Sequence, residues 1–566
     1  MTGGPVEHRP IERRLIEHRL AVRALDALLR EDYGGLMSRL THDKNGVALV
    51  LASGRTVRPA PGSPYQDFSV SAGAVETPAT AGAPDAPLRL DEVLGTLGAV
   101  ADPADAEGVA AFARECREAL AALELHQTHR DEVSARLLAE EEHDGGPGRA
   151  SAFYEALAAT VDHPVYPTSR CRLGVSPRDL TAYAPEFAPR FAPAWVAVPR
   201  ERATLARPLP PWWPEPGDAG LPPGLARTHV PFPVHPLTLP VLPELPGLIV
   251  PGVGAGDRAG GTARPPRLTV RPTLSMRTVE VDGRTHLKLP LPMSTLGLRN
   301  RRSIKPGTLR DGALAESLLR AILRRESGSR VVLADEQTYG HAGHEYLGWL
   351  VRGLPEGEIV PVAALPAELP GGRGTVAHDL AARFYGGRIG ELLRDYLGVL
   401  LGWSVTLFVR YGVALEAHQQ NLSLVFGDGP PRLLVKDNDG LLASPDRLRT
   451  AGLPVPAFGD ERMLTDDPYA LADVFVTVTL HLASMAVAYG AVGTAGARLV
   501  RGALAAALDR FPGDPLARLL RARTLDADRL VGKSMVVAGT LVAKERTGAR
   551  DVNKFYGTSG PNYLRW

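Results

Sequence analysis

The stretch Glu416–Gly440, EAHQQNLSLVFGDGPPRLLVKDNDG, decides how the second half of this chain is read. A polar knot, Glu416 to Asn421, leads into an apolar run. A Gly/Pro turn at Gly427–Pro431 follows, then a second apolar run that ends in Lys436-Asp437-Asn438-Asp439. Two apolar runs joined by such a turn predict a β-hairpin. Folded back on itself, the hairpin brings Glu416, His418, Gln420 and Asn421 beside Asp437 and Asp439. Either these polar ends cap the hairpin in water through Asx turns, or they hold a ligand between them. Carboxylate and amide oxygens suit Mg²⁺, which takes hard ligands and shares them with substrate phosphates. His418 suits a carboxylate substrate.

A His followed by an Asn, with an Asp after the next strand, also occurs in kinase-like metal sites. Phosphoryl transfer therefore stays open. That pattern lacks two parts here: a glycine-rich phosphate loop early in the chain, and an Asp between His418 and Asn421.

A second segment adds cations. In Arg271–Pro292, RPTLSMRTVEVDGRTHLKLPLP, the pair Asp282-Gly283 is a strong two-residue turn. With those two as the loop, Val281 faces Arg284, Val279 faces His286 and Arg277 faces Lys288. Like charges directly opposite are destabilising, and a bridging anion reverses that sign. Ser275 shares the face of Arg277, so a hydroxyl, a guanidinium and an ammonium form a phosphate-like recess. Arg299 adds a further cation. The alternative is a solvated basic face with the two side chains splayed apart.

Bulk properties exclude several classes. With 64 basic and 63 acidic residues the net charge is +1, so no global field favours nucleic acid or an anionic membrane, and any anion site is local. Two cysteines, Cys116 and Cys171, make neither a disulfide framework nor a zinc pattern and fit a reducing cytoplasm. The charged N-terminus lacks an apolar signal core. Apolar runs such as YLGVLLGWSVTLFV read as too short to span a bilayer. The glycines near 252–261 lack the strand–helix context of a dinucleotide fingerprint.

Along the chain, helical periodicity covers residues 11–38, 88–140 and about 150–161. Residues 45–62 read as a strand or hairpin and 61–85 as a loop. A proline-rich connection spans 201–226, short strands run from 227 to 300, and a helix covers 311–325. Residues 376–414 are helical with breaks at Gly386-Gly387 and Gly402, and the part beyond 467 is mostly helical. The class is α+β with antiparallel hairpins.

Four blocks, in order, resemble the NRPS-independent siderophore (NIS) synthetases of the IucA/IucC family. They are HPVYPTSRCRLGVSPRDLTAYAPEF from His163, FPVHP from Phe232, LSMRTVEVDGRTHLKLPLPMSTLGLR from Leu274, and EAHQQN with LLVKDNDG. The resemblance implies a three-lobed cupped hand: a mostly helical thumb at 1–165, β-rich fingers at 166–375 carrying the phosphate hairpin, and a largely helical palm at 376–566 carrying the catalytic hairpin. It implies an ATP- and Mg²⁺-dependent ligase that adenylates a citrate-like carboxylic acid and condenses it with an amine or hydroxyl nucleophile, releasing AMP and pyrophosphate. A cytoplasmic homodimer with small-molecule substrates, and without nucleic acid or membrane partners, is expected.

By matching position, Ser275, Arg277, Thr278 and Lys288 contact the ATP phosphates, and Arg299 and His418 the carboxylate and triphosphate. Gln420, Asn421 and Asp437 contact nucleotide or metal, with Glu416 a further metal ligand. His163 and Arg170 belong to a loop that closes on ATP. Three positions depart from the family pattern: Tyr166 replaces a His, Arg170 a Lys and Lys436 an Arg. A kinase-like phosphotransferase and a non-catalytic nucleotide- or siderophore-binding protein are the competing readings.

Overall fold

A computed structural model describes residues 8–75, 87–143, 149–250, 268–548 and 555–566. The glycines near 252–261 lie outside them.

The N-terminal part begins with the helix His8–Arg30, whose Leu20, Leu25 and Leu28 are buried. A four-stranded antiparallel meander follows, Thr41–Asp43, Gly46–Val50, Thr56–Ala60 and Ser69–Val75. The last strand corrects the expected loop over 61–85: Val70 is buried in the N-terminal core, and Val75 pairs with Val57 despite the Pro/Gly-rich surroundings. The helices Leu90–Val100 and Ala106–His143 complete this core. Tyr166, Cys171, Val536 and Leu541 also pack into it, so the far end of the chain returns to the first lobe.

A six-stranded antiparallel sheet forms the centre, in the order Thr204–Leu205, Asp335–His341, Gly348–Gly353, Thr285–Lys288, Thr278–Asp282, Arg271–Pro272. Its hairpin corrects the expected register. Thr285 pairs with Asp282, His286 with Glu280 and Lys288 with Thr278, so the turn is Gly283-Arg284, one residue later than Asp282-Gly283. Arg277 is therefore not opposite Lys288, because a one-residue slip moves a side chain to the other face.

The hairpin of the opening stretch is present as Leu422–Gly427 and Gly429–Val435, with Leu422 opposite Val435. Its turn is tighter than expected: Asp428 forms the tip, and Pro430 and Pro431 continue the strand. Glu358–Pro361 joins one edge antiparallel and Val331–Leu333 the other in parallel. This sheet takes strands from both sides of residue 375.

Helices dominate beyond Val376. Gly386 and Gly387, both with positive φ, end the helix Val376–Tyr385. Gly402 does not break the next helix, which runs Ile389–Thr406 and continues as a π-helical turn to Tyr411. Ile389–Tyr411 and Pro468–Val492 are long and apolar enough, by length and composition, to cross a membrane; the first exceeds the length expected for its apolar run. The most apolar windows of the two are 78% and 83% buried within the protein, where they form the core of the C-terminal part. The strands Arg529–Lys533 and Tyr556–Pro561 pair antiparallel near the end of the chain.

Candidate active site

A cavity of about 760 Å³ lies where the three parts meet. The hairpin of the opening stretch supplies its floor. Backbone pairing continues past the strand ends, with Lys436 N–H donating to Asn421 O at 3.1 Å, so the two polar ends are held side by side. Glu416, His418, Gln420, Asn421, Asp437 and Asp439 all line the cavity. The first alternative, a rim capped in water, is thereby displaced by a shared recess.

Asp437 is the electrostatic centre. Its φ of 61° is a strained, left-handed value for a non-glycine residue. Lys288 Nζ lies 2.5 Å from Asp437 Oδ1 and 3.8 Å from Asp439, and Arg352 lies 3.7 Å from Asp437. Burial opposes ionisation of Asp437, but Lys288, Arg352 and Arg277 outweigh it and hold the carboxyl well below the usual carboxylate range. Burial pushes neighbouring Asp439 the other way. The anion that neutralises Lys288 is thus the protein's own, and Lys288 sits behind the cavity wall rather than on it.

Arg277 donates to Ser303 O at 2.9 Å and lines the cavity with Ser275, whose Oγ accepts from Thr278 N–H. Thr278 itself is buried in the sheet. Arg299 is directed away: its guanidinium donates to Ala538 O. The arginine that reaches the cavity from this segment is Arg302, which holds Thr295 Oγ1 at 2.7 Å through Nε. Burial, then Arg277, pushes Arg302 down to about 9, so it stays charged at neutral pH. The residues Arg299, Arg301 and Arg302 are too close in sequence to separate without knowing the register of the irregular turn.

From the loop after the helix Ser151–Ala158 come His163, Arg170 and Arg172. Arg172 is paired with Glu186 through two contacts of 2.6 and 2.7 Å. Arg170 is buried, and its Nε and Nη1 make no hydrogen bond among the described residues, although Asp162 lies 3.6 Å away. His163 Nδ1 accepts from Tyr166 N–H at 2.9 Å, and His418 Nδ1 from Gln420 N–H at 3.3 Å. Each ring must therefore carry its proton on Nε2. Burial lowers His163 to about 3 and His418 to about 4, so both are neutral donors at pH 7.

Because these folded-state values lie below the ordinary 6.5, the unfolded chain binds more protons as pH falls. The stability they contribute is present above about pH 6.5 and is lost progressively toward pH 4. A thermal-melt series should show Tm falling across that window, and His163→Gln should flatten the fall.

Two departures from the family pattern lie outside the cavity. Tyr166 is fully buried in the N-terminal core, its hydroxyl 3.5 Å from Thr540 Oγ1. Lys436 points away from Asp437 and pairs with Glu155 at 3.2 Å, both side chains buried. Lys533, from the strand Arg529–Lys533, lines the cavity and carried no signal in the sequence.

Gly440 is needed by Glu416. A Cβ there would overlap the Glu416 carboxylate. Gly440→Ala is expected to lower kcat/KM on the order of 10²-fold by moving that carboxylate, with Tm little changed; steady-state kinetics beside a thermal melt checks it.

Residues 150–367 match the model of the IucA / IucC family. This segment carries the loop of His163 and Arg170 and the hairpin of Arg277 and Lys288. Residues 391–538 match the model described as ferric iron reductase FhuF-like transporter. That segment contains no cysteine, so it offers no thiolate for a redox metal centre.

The fold is shared with solved synthetases. The petrobactin biosynthesis protein AsbB from Bacillus anthracis str. Sterne superposes with a TM-score of 0.70 at 14% identity, covering 100% of this chain and 98% of that one. ATP-bound aerobactin synthetase IucA from a hypervirulent pathotype of Klebsiella pneumoniae gives 0.68 at 18% identity, covering 96% and 99%. Aerobactin synthetase IucC from the same source gives 0.66 at 18%, covering 98% and 99%. A curated relative, the uncharacterized protein y4xN of Sinorhizobium fredii (strain NBRC 101917 / NGR234), is 25% identical over 389 residues, which are 57% of this chain and 58% of that protein. The α+β class and the expected family resemblance are borne out.

Proposed function

We propose that this chain is an ATP-dependent ligase of the siderophore-synthetase type. It joins a carboxylic acid to an amine or hydroxyl through an acyl adenylate. The observation that carries the reading is the convergence of Arg170, Arg277 and Arg302 with two neutral histidines and the Glu416/Asp437/Asp439 carboxylates around one cavity. Adenylation brings two anions together, and cations fixed in a buried recess lower that barrier without reorganising.

In the first step a substrate carboxylate oxygen bonds to the α-phosphorus of ATP, and the bond from that phosphorus to the bridging oxygen breaks. Pyrophosphate leaves with the electron pair. We assign the phosphate oxygens to Arg170 and Arg277, which both line the cavity. We assign the carboxylate-facing role to Arg302 with the Nε2–H of His418, in place of Arg299. In the second step the nucleophile attacks the acyl carbon, AMP departs, and the nucleophile's proton passes to solvent.

The donor set fits Mg²⁺ held jointly with substrate. Among the described residues no three His, Cys, Asp or Glu side chains form a closed metal group, whereas Mg²⁺ needs only one or two carboxylates besides phosphates and water. Glu416, Asp437 and Asp439 would hold it, with Gln420 and Asn421 amides beside them. Mg²⁺ bound there supplies charge neutralisation for the leaving pyrophosphate. A homodimer belongs to the same proposal and is checked by sedimentation.

Product analysis tests the reaction class. AMP and pyrophosphate in equal amounts are expected when ATP and a panel of carboxylic acids are supplied with hydroxylamine as nucleophile. ADP would instead support a phosphotransferase. ATP binding without turnover would support a binding protein.

A further inference from the structure

All four of the cavity's lining carboxylates, Asp162, Glu416, Asp437 and Asp439, come from the loop after the helix Ser151–Ala158 and from the two ends of the hairpin. None is left over. Asp437 is engaged by Lys288 and Arg352, Asp439 lies 3.8 Å from Lys288, Asp162 lies between Arg23 and Arg170, and Glu416 is packed against Gly440. Five cations line the same space, Arg170, Arg172, Arg277, Arg302 and Lys533.

The lining contributed by Pro468–Val492 is different in kind. Val478, Leu482, Ala486 and Gly490 recur every fourth residue along Pro468–Val492 and present one apolar stripe to the cavity. The stripe begins in the π-helical stretch Phe475–Met485, a geometry common at functional sites. Ala363 and Pro366 join it. Pro366 lies against Gly490, where a Cβ would meet it at 2.9 Å, so glycine allows the two elements to close together. Among the described residues, no carboxylate on this wall lines the cavity.

A second ammonium at the far end of a diamine needs a carboxylate partner once it leaves water. Among the described residues this wall has none. An alkyl or aromatic body instead gains about 25 cal/mol for each Å² of apolar surface it buries there. We propose that the nucleophile is a monoamine or hydroxyl compound with an uncharged, apolar body rather than a polyamine, and that the stripe Val478/Leu482/Ala486 selects it. This rests on the ligase reading.

Two probes of equal length test it, hexylamine and 1,6-diaminohexane. With the full chain and ATP, calorimetry should show hexylamine binding at least tenfold more tightly. Ala486→Asp should narrow or reverse that preference by giving the second ammonium a partner carboxylate. Equal binding of the two, or tighter binding of the diamine by the wild-type protein, overturns the proposal. Carboxylate-dependent ATP–pyrophosphate exchange is read in parallel. Exchange with a diamine preference sinks only the nucleophile assignment. A hexylamine preference without exchange for any acid sinks the ligase reading and leaves the apolar selectivity of the cavity standing.

Discussion

Arg302→Ala is expected to lower kcat/KM for carboxylate-dependent pyrophosphate release by about 10²–10³-fold, the usual consequence of removing one preorganised donor from a developing charge. Arg302 lines the cavity and is held through Nε by Thr295 Oγ1, and among the described residues its other guanidinium nitrogens make no hydrogen bond. Arg299→Ala is the paired control. Its guanidinium serves the carbonyl of Ala538, so that change should show in Tm more than in rate. Arg302→Lys keeps the charge and loses the planar fork, and should recover only part of the activity. A wild-type rate in Arg302→Ala, with loss in Arg299→Ala, would return the catalytic role to Arg299.

Lys436→Met is expected to destabilise the fold by about 3–5 kcal/mol, because it strands a buried carboxylate. Glu155 is 2% exposed, and its two oxygens accept from Lys436 Nζ and from Leu274 N–H. Among the described residues, removing the ammonium leaves the Leu274 amide as the one hydrogen-bond donor to Glu155. Adding Glu155→Gln should restore much of the loss, since the neutral amide needs no counter-ion. Urea titration of the two single variants and the double variant gives the coupling directly. Additive losses would mean that the pair is not an energetic unit. Pyrophosphate release per folded molecule should stay near wild type in Lys436→Met, as the side chain points away from the cavity.

These two results separate what neighbouring residues can show from what they cannot. Lys436 and Asp437 are adjacent, yet one anchors the core and the other the site. Both lie past the strand end at Val435, and Asp437 takes a left-handed φ of 61°, so strand alternation does not separate them; their partners do, Glu155 for Lys436 and Lys288 for Asp437. Glu155 is 281 residues from Lys436, and no local pattern links them.

The sequence by itself determined the hairpin Leu422–Val435, the polar ends it brings together, the helical C-terminal part and the α+β class. Each depends on short-range periodicity and turn chemistry. It also carried enough ordered motifs to indicate the family. Tertiary structure decided that Lys288 is neutralised by Asp437, that Arg302 replaces Arg299 at the cavity, and that Gly402 does not break its helix. It alone brought Lys533 and the apolar stripe of Pro468–Val492 to the site. A one-residue register shift at Thr285/His286 changes which face a cation takes, and such a shift is set by the neighbouring strand Gly348–Gly353 and the packing behind it. Contacts of that kind join residues far apart in the chain, where neither periodicity nor spacing leaves a trace.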